Sequence, residues 1–76
     1  MEIEVNDKHY EILIAGSDNG TGCELWDLQE NKLLIEIFRN DTLKELQYYS
    51  AGINIPLSLL ETVLQHFNSR VGREFK

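Results

Sequence analysis

Residues 1–14 read Met1-Glu-Ile-Glu-Val5-Asn-Asp7-Lys-His-Tyr10-Glu-Ile-Leu-Ile14, and this stretch decides the fold. Met1, Ile3 and Val5 alternate with Glu2, Glu4 and Asn6, a period of two that belongs to a half-buried strand. Tyr10, Ile12 and Ile14 repeat the alternation. Between them Asn6-Asp7 is turn sequence, because both residues tolerate positive φ. A two-residue hairpin loop there sets Val5 opposite Lys8, Ile3 opposite Tyr10 and Met1 opposite Ile12. The apolar residues of both strands then share one face, which fixes the register.

Outward from this hairpin, Gly16-Ser-Asp-Asn-Gly-Thr-Gly22 lacks apolar residues and reads as a loop. A third strand is expected at about Cys23 to Leu28 and a fourth at Lys32 to Arg39, with a turn at Glu30-Asn31. A two-residue turn sets Trp26 opposite Ile35 and Leu28 opposite Leu33. A three-residue loop with Asn31 left-handed sets Trp26 opposite Leu34. The pattern leaves both open. After Asn40-Asp41-Thr42, the segment Leu43 to Ser50 has two readings. Leu46, Tyr48 and Tyr49 suit a strand, the preferred reading. Thr42-Leu-Lys-Glu45 also matches a capping box, with Gly52 as a stop for a short helix.

Leu57, Leu60, Val63, Leu64, Phe67 and Val71 recur at three- and four-residue steps. They span about 120° of a helical wheel, the width of a core-facing stripe. Pro56 suits the first helical turn, and Ser58-Leu-Leu-Glu61 offers an alternative start as a capping box. Gly72 is a stop, with Arg70 and Arg73 near the dipole's negative end. The expectation is a single α+β domain over residues 1–76. It consists of an antiparallel β-meander of four to five strands, followed by one C-terminal amphipathic helix packed on one sheet face.

One helix covers one face. Leu13, Leu34 and Phe38 alternate with the expected core positions, so they are assigned to the other side. Either the sheet curls into a partial barrel, or loops and the tail after Gly72 partly cover this second face, or it carries an apolar association surface. Glu2, Glu4 and Glu11 add an acidic edge. The net charge of −6 is unevenly distributed. Residues 1–36 carry nine acidic side chains against Lys8 and Lys32, or −7, whereas residues 37–76 sum to +1. An acidic chain is repelled by phosphate backbones and steered toward basic partners.

The motifs exclude more than they assign. The glycine-rich segment lacks the lysine of a phosphate loop, and a strand rather than a helix is expected after it. Counted from Asp18, loop position twelve of a calcium hand is Gln29, not a carboxylate. His9, Cys23 and His66 are too far apart in sequence to form a close zinc-ligand pair. Cys23 reads as a small buried side chain, and the two histidines read as solvated. No cofactor and no catalytic residue is assigned. Asn19-Gly-Thr21 and Asn40-Asp-Thr42 match the glycosylation sequon but read as turn composition.

A lone cysteine permits no internal disulfide, which favours a reducing compartment. The first residues lack a signal-peptide pattern, and no apolar run reaches membrane-span length. A cytoplasmic location is therefore expected. The functional expectation is a non-catalytic protein-interaction module, an acidic inhibitor, immunity-type or regulatory protein, whose partner is another protein or a second copy. The alternative is single-stranded nucleic-acid binding, with Trp26, Tyr48 and Tyr49 stacking on bases. That reading needs Arg39, Lys44, Arg70 and Arg73 gathered on the same surface.

Overall fold

A computed structural model describes residues 1–52 and 54–76. It is α+β: one open antiparallel sheet followed by one C-terminal helix. The strands are β1 (Glu2–Val5), β2 (Lys8–Ser17), β3 (Gly20–Asp27), β4 (Lys32–Asn40) and β5 (Glu45–Ser50), and the helix is α1 (Leu57–Arg70). The five strands lie in sequence order, a meander with β1 and β5 at its edges. No helix among the described residues is long and apolar enough to cross a membrane.

The first hairpin forms as its sequence dictates. Asn6 and Asp7 take φ of 52° and 65°, the pair of positive values that a tight two-residue turn requires. Val5 faces Lys8 and Ile3 faces Tyr10. The Met1 and Ile12 backbones exchange hydrogen bonds at 2.8 and 2.9 Å.

The glycine-rich segment departs from expectation: only Asp18 and Asn19 form the turn, and the rest extends β2 and β3. Its glycines serve close approach rather than flexibility. A Cβ at Gly20 would collide with the Arg39 carbonyl oxygen, and one at Gly22 would press against the Phe38 ring at 3.0 Å. Asn19 then ties this turn to the next. Its carbonyl accepts the Asp41 N–H at 2.7 Å, and its side-chain oxygen accepts the Thr42 hydroxyl at 3.2 Å.

The β3–β4 connection follows neither turn considered from the sequence. Four residues, Leu28 to Asn31, separate the strands, with Asn31 at φ 53°. The Asp27 carboxylate caps the turn by accepting the Gln29 and Glu30 N–H groups. Trp26 faces Leu33 while Leu25 faces Ile35, so Leu34 is the extra residue of a β-bulge.

The core lies between α1 and the faces of β2, β3 and β4 that it covers. Tyr10, Ile12, Cys23, Leu25, Ile35 and Ile37 from the sheet meet Leu59, Val63 and Phe67 from the helix. The helix is thus rotated from the expected stripe. Leu59 is buried, Leu60 and Leu64 flank the core, and Leu57 is 67% exposed. Pro56 occupies the N-cap, and Gly72, at φ 86°, ends the helix by donating its N–H to the Phe67 carbonyl at 2.8 Å.

Arg39 is the one charged side chain buried in this interior among the described residues. Its guanidinium pairs with Asp41 at 2.9 Å and donates to the Val71 and Gly72 carbonyls at 2.8 and 3.2 Å. It thereby clasps the chain leaving α1 to the end of β4. Burial alone would raise the Asp41 pKa. The Lys76 backbone N–H, the hydrogen bond and charge of Arg39 and the Lys44 charge outweigh it and hold the group below its ordinary value.

Candidate interaction surface

Residues directly opposite in an antiparallel sheet share a face, so the register defines the side that α1 leaves uncovered. One row across it runs Glu2, Glu11, Trp26, Leu33. The next runs Leu13, Glu24, Glu36, Tyr49. A third runs Ala15, Gly22, Phe38, Gln47. Apolar side chains therefore surround a carboxylate pair at the centre of the sheet. Leu13 is 42% exposed and Tyr49 49%, while Trp26 and Phe38 are half-buried against their neighbours. The Phe38 ring lies across Gly22, where any larger residue would displace it. Beside it a depression of about 400 Å³ is lined by Glu36, Phe38, Gln47, Tyr48 and Tyr49.

The electrostatics of this face are unbalanced. Glu24 and Glu36 stand directly opposite each other, and like charges so placed destabilise a sheet. Burial, the Glu24 charge and a hydrogen bond to Glu24 all push the Glu36 pKa up. Trp26 Nε1 donates to Glu24 Oε1 at 3.0 Å, which holds the indole beside the pair. Glu2, Glu4, Glu11 and Glu45 occupy the same face by register. At the β1 end of this face the Met1 amine meets Glu11 at 3.1 Å.

Of the residues assigned to this surface from sequence, Leu13, Phe38, Glu2, Glu4 and Glu11 fall on the one uncovered face. Leu34 does not: the bulge turns it onto the core side, where it packs against the buried cluster. Trp26, Leu33, Glu24, Glu36 and Tyr49 take its place. Alternation along one strand does not reveal them as a group: the pairing of Glu24 with Glu36 and Tyr49 follows from the register across strands, and Leu33 reaches this face only through the bulge.

The other singled-out residues are dispersed. Cys23 is fully buried, its Sγ 4.0 Å from the Val63 carbonyl oxygen. Burial pushes its thiol pKa up, opposed by the Arg70 charge and reinforced by Glu24. His9 lies on β2 and His66 on α1. Among the described residues no three His, Cys, Asp or Glu side chains form a group that could hold a metal ion. The residues needed for nucleic-acid stacking are divided. Trp26 and Tyr49 lie among carboxylates on the open face, Tyr48 points to the helix side, and Arg39 is engaged in its clasp. Compared with known proteins, the chain matches no family model, no curated protein and no solved structure.

Proposed function

We propose that this chain is a non-catalytic protein-interaction module, an acidic cytoplasmic binder or inhibitor that docks a basic polypeptide on its open sheet face. The observation that carries the reading is the opposed Glu24–Glu36 pair ringed by Leu13, Trp26, Phe38 and Tyr49. Two carboxylates at the centre of a sheet lower the stability of the free protein, and departures from local stability of this kind concentrate at functional sites. A guanidinium or ammonium group placed between them would offset the repulsion. The surrounding aromatics supply apolar contact area and a face for cation–π contact.

The face contains the sole tryptophan, so binding is directly observable. The test titrates Trp26 emission with a synthetic peptide of alternating arginine and leucine, and with its glutamate–leucine counterpart. The basic peptide is expected to saturate the signal at low salt and to weaken steeply as salt rises. Reversing both charges, Glu24→Lys with Glu36→Lys, is expected to reduce affinity at least tenfold. Equal binding of the two peptides, or an unchanged affinity after charge reversal, overturns the reading.

A further inference from the structure

The depression on the open face is made differently from the carboxylate pair beside it. It lies at two cross-strand pairs, Glu36–Tyr49 and Phe38–Gln47, and only one of its five lining residues is acidic. Gly22 leaves the adjoining stretch of β3 bare. A Cβ there would stand 3.0 Å from the Phe38 ring and 3.3 Å from Glu36 Oε2, so ring and carboxylate both lean over the glycine. Phe38 and Tyr49 each contribute an aromatic ring. The polar groups held in place are acceptors. Glu36 supplies a carboxylate, and Glu24 directly opposite adds a second negative charge. Gln47 Nε2 donates to Glu45 Oε1 at 3.1 Å, and its Oε1 remains as an acceptor.

We infer that this depression is a subsite for one arginine side chain of the docked polypeptide, and that it selects arginine over lysine. Such selection presupposes that the open face docks a basic polypeptide, as proposed above, and adds which cation it takes. A guanidinium is flat and weakly hydrated, with its donors spread around one plane. Its edge can meet Glu36 and the Gln47 oxygen while its face lies against Phe38 or Tyr49. An ammonium is a compact, strongly hydrated point charge. It gains from the Glu36 carboxylate as a guanidinium does, but it gives up water to approach the rings and has no plane to lay on them. The carboxylates therefore attract either cation, and the two rings with the Gln47 amide tell them apart. A bare metal ion is poorly served, because among the described residues no three His, Cys, Asp or Glu side chains converge.

Isothermal titration calorimetry tests this with two peptides of equal length and charge, one alternating arginine with leucine and one alternating lysine with leucine. Circular dichroism confirms that each variant is folded. The native chain is expected to bind the arginine peptide about tenfold more tightly than the lysine peptide. Tyr49→Leu keeps the apolar bulk and removes a ring, and Gln47→Leu removes the acceptor. Each is expected to reduce the preference to about threefold or less, chiefly by weakening the arginine peptide. Equal affinity of the native chain for the two peptides overturns arginine selection and leaves the proposed function standing. A preference that either substitution leaves unchanged puts the discrimination elsewhere on the face and overturns the subsite. Binding of neither peptide overturns the subsite and the proposed function together.

Discussion

Strands β3 and β4 present two unlike surfaces from consecutive residues. Toward the helix they place Cys23, Leu25, Ile35 and Ile37, all buried. Toward solvent they place Glu24, Trp26, Glu36 and Phe38, none fully buried. The first set is what stability requires of a small domain. The second contains an electrostatic conflict that packing does not require, next to aromatics that are only partly buried. The contrast separates the residues that hold the fold from those free to serve recognition.

The widest test of that division compares truncations. Phe67→Ala, at the centre of the covered side, should cost about 3–5 kcal/mol, a large part of the stability of a domain this size. Urea denaturation measures it, and a cost no greater than that of Leu13→Ala on the open side would break the contrast. Arg39→Ala should cost about 3 kcal/mol, because it leaves Asp41 and two chain-end carbonyls without their buried partner. Hydrogen exchange should report lost protection at the last turn of α1 before any in β2. Acid should weaken the same clasp. Because the Asp41 pKa is lowered on folding, its contribution is full above the ordinary value of 3.8 and disappears as pH falls through the folded value.

On the open side, Gly22→Ala should cost about 1 kcal/mol, since the new methyl group must move the Phe38 ring. The Trp26 emission maximum should shift little, because the indole is held by Glu24.

The smallest effect has the opposite sign. Glu36→Gln should stabilise the domain at neutral pH by about a few tenths of a kcal/mol, discounted for solvent screening. The folded pKa of Glu36 is raised, so its penalty is full above that pKa and fades as pH falls toward the ordinary 4.5. The gain from the substitution should fade over the same window, while binding of the basic peptide weakens at neutral pH. A variant that is both more stable and a better binder would contradict the functional assignment of the face.

Much of this architecture is legible in the sequence where local chemistry and periodicity agree. The Asn6-Asp7 hairpin, its register and the Gly72 stop all follow from turn preference and alternation. The β5 strand follows less directly, since Thr42 to Glu45 also fits a helix start. The remainder depends on contacts distant in sequence. Glycines at 16, 20 and 22 suggest a loop by composition, yet Gly20 and Gly22 are required by what β4 places beside them. The bulge puts Leu33 opposite Trp26 on the open face and turns Leu34 to the core, a shift that no local pattern in β4 announces. Helix periodicity gave the right element but a stripe displaced toward Leu57, because Leu59 enters the core while Leu60 and Leu64 only flank it. At the surface, Leu13 and Phe38 were found by counting apolar residues against available cover. The Glu24–Glu36 pair required the register itself.

Arg39 also bears on how the molecule is made. Each hairpin joins neighbours in sequence, so the sheet can assemble as the chain leaves the ribosome. The helix that seals it emerges only afterwards. Until Val71 and Gly72 arrive to accept its hydrogen bonds, the Arg39 guanidinium on β4 can be satisfied only by Asp41 and water, and the apolar row beside it stays uncovered.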